Sequence, residues 1–174
     1  MQLKPQTGDW ILPVGLAAFS SAIRAVTFGR VCHAAMVFDE TQVFETDGSW
    51  RKAQFAPLSH YEGKEVYIVR PSFYNCPNDV KPRCKAYNGA PYSYWDILTN
   101  GAFGWLAPPI RKKVVKFLSN TRFMICSELV ARITFEVTRQ PLLRDFEGMT
   151  PEMLLELAYN HPALFTVEHT TLSL

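Results

Sequence analysis

The 174 residues include only nine glycines and four cysteines, and neither sign of charge dominates: 18 lysines and arginines stand against 16 acidic residues, a net charge of +2. So balanced a chain carries no electrostatic footprint for nucleic acid or for a strongly acidic partner. The cysteines (Cys32, Cys76, Cys84 and Cys126) are too few and too scattered for a disulfide scaffold. Cys76 and Cys84 bracket PNDVKPR and could be bridged under oxidising conditions, but reduced thiols are expected. No pair has CxxC spacing, and Cys32 beside His33 is too tight to supply two ligands easily, so neither a metal nor a cofactor is expected. Repeats and low-complexity tracts are missing as well. The most apolar early run, WILPVGLAAF, contains Pro13 and Gly15 and falls well short of a membrane span of about 20 residues. The opening MQLKPQTGDW lacks the basic-then-apolar layout of a secretory signal, so a cytoplasmic location is expected.

What the chain does have is apolar mass: 48% of its residues are hydrophobic and 13% aromatic, enough for one domain over residues 1–174 with a real core. Period-two or continuous apolar runs predict strands in TGDWILPVG, HAAMVF, QVFET, EVYIVRP and ALFTVEHTTL. Helical spacing marks LAAFSSAIRAV, SYWDILTNGAFGWL (broken near Gly101), PPIRKKVVKFLSN and TPEMLLELAYN, the last with Thr150 as cap and Pro151 in its first turn. NDVKPRCKAYN reads as a further helix despite its internal proline. Strands that mostly neighbour one another, with separate helices, predict an α+β fold: a small antiparallel sheet packed against helices.

One helix raises a chemical question. In FMICSELVARITFEV, Ile125, Leu129, Val130, Ile133 and Val137 form an apolar stripe, and Glu128, Arg132 and Glu136 are expected on the opposite, solvated side. Cys126 falls on the apolar side at the very start of that helix. Buried cysteines are commonly inert core filler, yet a helix N-terminus stabilises a thiolate through its free N–H groups and partial positive charge.

The hairpin HAAMVFDETQVFET supplies the partners such a thiolate needs. A three-residue loop at Phe38–Glu40 would pair His33 directly with Glu45. It would put His33, Ala35, Val37, Val43 and Glu45 on one face, with the Cys126 helix covering the apolar part. A nucleophilic cysteine needs an imidazole to hold the thiolate and protonate the leaving group, and the imidazole needs an acceptor to fix its tautomer. Glu45 is the first candidate for that acceptor and Asp47, of the same parity, the second. Asp9, before the first strand, is explained by a turn-forming role.

GDWILPVG, CHAAMVFDETQVFETDG, VYIVRP, GAPYSYWDIL and MICSELVARI follow one another in the order found in circularly permuted NlpC/P60 proteins, which this chain resembles from about Gly8 to about Pro151. These are papain-like cysteine hydrolases whose histidine strand precedes the cysteine helix. They include YiiX/YaeF-like bacterial and phage proteins and, more distantly, lecithin:retinol acyltransferase-like enzymes. The resemblance implies a papain-like fold, Cys126 as nucleophile, His33 as base, Glu45 as third polar residue, and Tyr92 lining the site. Many relatives have an acidic residue after that tyrosine where Ser93 stands here, and many carry secretion signals. The implied activity is a Cys-His-Glu thiol hydrolase, or peptidase-like amidase, cleaving a cell-wall peptide or amino-acyl amide. A lipid acyl hydrolase or acyltransferase with the same triad, and an idle papain-like binding domain, are the alternatives. The substrate would be a peptide or acyl amide, with a lipid as second choice. GAFGWLAPPIRKKVVKF, with Arg111, Lys112, Lys113 and Lys116, could meet a membrane surface, but a core helix with a solvated charged face is preferred.

Overall fold

Six strands, β1 (Trp10–Pro13), β2 (Ala35–Val37), β3 (Gln42–Asp47), β4 (Lys52–Pro57), β5 (Glu65–Pro71) and β6 (Phe165–Thr171), form one antiparallel sheet in the order β4-β3-β2-β1-β5-β6. The computed structural model describes residues 3–15, 29–47, 52–73, 77–91 and 125–174. Among the described residues three α-helices accompany the sheet: α1 (Val80–Tyr87), α2 (Cys126–Thr138) and α3 (Pro151–Asn160). The fold is α+β, as the sequence predicts. The helices expected in LAAFSSAIRAV, SYWDILTNGAFGWL and PPIRKKVVKFLSN lie outside the described residues, as do Cys76, Tyr92 and Ser93.

Strand β4 has no counterpart among the expected strands. Its sequence, KAQFAP, offers one aromatic and no β-branched residue, and its buried positions Ala53 and Ala56 break the period of two. It forms anyway because β3 supplies a complete ladder, from Gln42 opposite Pro57 to Asp47 opposite Lys52. Helix α1 survives its internal proline because Pro82 falls in the first turn, where a backbone N–H has no helical acceptor. Helix α3 starts as predicted: Thr150 Oγ1 accepts the Met153 N–H at 3.2 Å, with Pro151 in the first turn.

Both faces of the sheet are buried. Trp10, Leu12, Met36, Phe44 and Val69 pack against Leu129, Val130 and Ile133 of α2 and Leu154 of α3. The opposite face carries Ile11, Ala35, Val37, Val43, Val66 and Ile68, closed by Leu58, Tyr61 and Leu172. The expectation that α2 covers Ala35, Val37 and Val43 is therefore corrected. Those residues do share a face, but the helix takes the other one, where the larger Trp10, Met36 and Phe44 meet its stripe. The Trp10 indole N–H donates to Thr134 Oγ1 at 3.2 Å, pinning α2 across the sheet.

The hairpin register differs from the expected one by two residues: Ala35, not His33, stands opposite Glu45. The cause is the Asp39 carboxylate, which accepts from the backbone N–H groups of Thr41 (2.8 Å) and Gln42 (2.9 Å) and so fixes a loop centred on Glu40, closed by the Phe38 N–H on the Gln42 carbonyl. A shift of two preserves every facing, so Glu45 keeps its side of the sheet.

Candidate functional site

His33 is held just outside the regular ladder. Ile11 pairs with Ala35 and Val14 bridges to Val31. Between those pairs the β1 side has Leu12 and Pro13, whereas the facing segment has Cys32, His33 and Ala34. One extra residue against a paired strand is a bulge, a device that re-aims a side chain. The bulge brings the imidazole within reach of groups from both faces of the sheet. Glu45 approaches from the face opposite α2, and Cys126 from α2 itself.

His33 Nε2 lies 2.8 Å from Glu45 Oε2. The same carboxylate oxygen accepts a short hydrogen bond from the Tyr61 hydroxyl. Glu45 is only 4% exposed, so its charge depends on these two partners. Burial works to raise the Glu45 pKa, but the hydrogen bond and charge of His33, helped by Tyr61, bring it below the ordinary value. With Nε2 committed to Glu45, the imidazole also lies close enough to Cys126 for the thiol to act on its protonation. Burial works to lower the His33 pKa. The charge and hydrogen bond of Cys126, then those of Glu45, outweigh it and hold the imidazole pKa well above 6.5.

Cys126 is the first residue of α2 and is buried at 5% exposure. In that position its backbone N–H has no acceptor inside the helix. The turn that carries it is fixed from within. Glu128 Oε2 accepts the Ile125 N–H at 3.2 Å, while Oε1 accepts the Gly148 N–H at 2.6 Å. Ser127 Oγ donates to the Met149 carbonyl at 2.5 Å. Glu128 was expected on the solvated side with Arg132 and Glu136, and the structure corrects this: it is 3% exposed. A carboxylate at the third helical position can turn back to cap its own helix, and a loop N–H takes its second oxygen.

The remaining candidates separate. Asp47 ends β3 opposite Lys52, and continuing the β2–β3 register would set it across from position 33. Tyr92 lies outside the described residues. Asp9 does build a turn, accepting the Gln6 N–H at 2.9 Å, but it also binds Arg70 through both carboxylate oxygens, at 2.9 and 2.7 Å. Burial pushes the Asp9 carboxyl above its ordinary pKa against the pull of Arg70. Tyr61 is the contact that sequence reasoning missed. The usable signal was a tyrosine in PLSHYEG, a turn-rich link between β4 and β5, because a buried hydroxyl seeks an acceptor.

Among the described residues no three His, Cys, Asp or Glu side chains converge as a metal cage, and no helix is long and apolar enough to cross a membrane. No family model matches the chain, and no curated protein matches it in sequence. Its architecture is nevertheless similar to the crystal structure of the metalloprotein yiiX from Escherichia coli O157:H7. The two superpose with a TM-score of 0.55 at 19% sequence identity, over 97% of this chain and 90% of that one. At that identity the likeness is one of fold, a papain-like α+β arrangement.

Proposed function

We propose that this chain is a thiol hydrolase that cleaves an amide bond, in a peptide or an amino-acyl amide, through a thioester on Cys126. The observation that carries the reading is the position of His33, with Glu45 on its Nε2 at 2.8 Å and Cys126, at the start of α2, near enough to raise its pKa. The Cys126 thiolate attacks the carbonyl carbon, forming the Sγ–C bond and moving the carbonyl electron pair onto oxygen. The oxyanion collapses, the C–N bond breaks, and His33 gives its proton to the departing amine. Water then attacks the thioester while the neutral imidazole takes its proton, and thiolate leaves as the acid is released. Glu45, steadied by Tyr61, holds the ring in the tautomer that serves both steps. The structural neighbour's name raises a metal, but His33 Nε2 is taken by Glu45, and no step here draws on one.

The test is turnover of a panel of murein peptides, amino-acyl amides and acylated lipids by the wild type and Cys126→Ala. Hydrolysis of an amide substrate that is lost in the variant is expected. Cleavage confined to the lipid esters would move the assignment to acyl transfer with the same residues. Undiminished turnover by Cys126→Ala would end the mechanism.

A further inference from the structure

One buried hydroxyl beside this site has no structural employment. Among the described residues, Thr46 Oγ1 is the single buried side-chain nitrogen or oxygen without a hydrogen-bond partner, in a residue 1% exposed. Buried polar groups are almost always satisfied, and one that is not calls for a physical reason. A valine would fill the same shape without hiding a donor from water.

The ladder shows where that donor sits. Along β3, Val43 packs on the face away from α2 and Phe44 on the face toward it, so Thr46, of the same parity as Phe44, faces α2. Its partner across β4 is Ala53, and extending the β2–β3 register sets Ala34 on its other side. Both alanines are fully buried in the cluster that contains Cys126. Flanked by two methyl groups, the hydroxyl finds no side-chain acceptor along the sheet. Thr46 also follows Glu45 in sequence, at the His33 end of the hairpin. Cys126, at the start of α2, shares the buried cluster of Ala34 and Ala53 and acts on His33, and its N–H lacks an acceptor within its helix.

We infer that Thr46 Oγ1 is a substrate-binding and oxyanion-stabilising donor, which with the Cys126 N–H receives the carbonyl oxygen of the acyl group attacked by Cys126. The inference rests on the thiol-hydrolase reading and adds a second donor, from the sheet, to the one from the helix. A threonine hydroxyl can donate while its methyl packs, and preorganised donors of this kind act on the charge that develops in acyl transfer.

Two probes of one thiol separate the roles. Iodoacetamide alkylates sulfur by displacement at a saturated carbon, so it needs the thiolate but no oxyanion site. With p-nitrophenyl acetate the Sγ–C bond forms, the carbonyl passes through an oxyanion, and nitrophenolate leaves as S-acetyl-Cys126 appears. Thr46→Val should leave alkylation of Cys126 unchanged and slow its acetylation about a hundredfold, whereas Thr46→Ser should retain most of the acetylation rate. Thr46→Val should also melt at or above the wild-type temperature, because it removes an unpaired donor from the interior. A sharply lower melting temperature would mean the hydroxyl has a structural partner and would overturn the inference. Equal acetylation in wild type and Thr46→Val would overturn it too, leaving the thiol-hydrolase reading intact. If wild type acetylates no faster than Cys126→Ala, the hydrolase reading itself fails and takes the Thr46 role with it.

Discussion

Cys84 and Cys126 are both buried, both helical, and both members of the core cluster between the sheet and its helices. Cys84 lies in the body of α1, and burial pushes its thiol up to about 12. Cys126 is the first residue of α2, and its sulfur meets an imidazole held from behind by a carboxylate. Burial alone therefore makes a cysteine inert, and the contrast lies in what else reaches the sulfur. The helix start supplies unpaired N–H groups, the bulge at Cys32–Ala34 supplies the imidazole, and β3 supplies the acid.

The strongest way to break this contrast is to remove the imidazole. In the wild type at neutral pH, iodoacetamide should label Cys126 well before Cys84 and before Cys32, whose sulfur lies 3.6 Å from the Pro13 carbonyl. In His33→Ala, Cys126 should lose that lead and approach the others. Turnover should fall by about a thousandfold or more, and the double variant with Cys126→Ala should lose little beyond either single change, because nucleophile and base act as a unit. Mass-spectrometric mapping of labelled peptides decides the first point and kcat/KM the second. Equal labelling of Cys84 and Cys126 in the wild type would erase the distinction between them.

Neutralising the carboxylate sharpens the same contrast. Glu45→Gln keeps shape and an acceptor for the His33 N–H but loses the charge, so kcat/KM should drop about tenfold to a hundredfold, less than for His33→Ala. The pH dependence has a definite sign. The folded His33 pKa is well above 6.5, so its contribution to stability is full below that unfolded value and is lost as pH rises through the folded one. Glu45 is depressed below 4.5, so its contribution is present above that value and is lost as pH falls through its lower folded value. The melting temperature of Glu45→Gln should therefore trail the wild type most between these two unfolded values and recover ground at alkaline pH. The alkaline limb of kcat/KM, set by loss of the His33 proton, should move to lower pH in this variant. A limb that stays in place would show that Glu45 does not govern the imidazole.

Much of this site was legible because its parts are local. A cysteine at the head of an apolar helical stripe, and a histidine and glutamate of one parity in a hairpin, are visible as candidates in the periodicity, and the resemblance to permuted NlpC/P60 proteins is what gave them roles. What was not legible depends on contacts between distant segments. The shifted loop comes from a side-chain grip by Asp39, the covered face from the bulk of Trp10, Met36 and Phe44, and β4 from a ladder that β3 offers to a weak strand sequence. Glu128 looks like a solvated charge until Gly148, twenty positions on, is seen to bind it. Tyr61 offers only the weak signal of a tyrosine in a turn-rich link and Thr46 none, since their meaning comes from the acceptor one has and the other lacks.

The smallest effect is expected at Asp47, and it tests the register directly. Extending the β2–β3 ladder sets position 47, not 45, across from His33, so strand geometry alone would choose Asp47 to orient the ring. Yet the imidazole engages Glu45 on the diagonal, because the bulge takes His33 out of the regular ladder. If that diagonal contact does the orienting, Asp47→Asn should change kcat/KM by no more than about twofold, since it removes no interaction made in the transition state. It should also leave the alkaline limb where the wild type has it, while Glu45→Gln moves it. Both variants are best measured side by side across pH on one substrate. A dead Asp47→Asn beside a healthy Glu45→Gln would mean that the direct cross-strand partner orients His33 and that the diagonal contact is incidental.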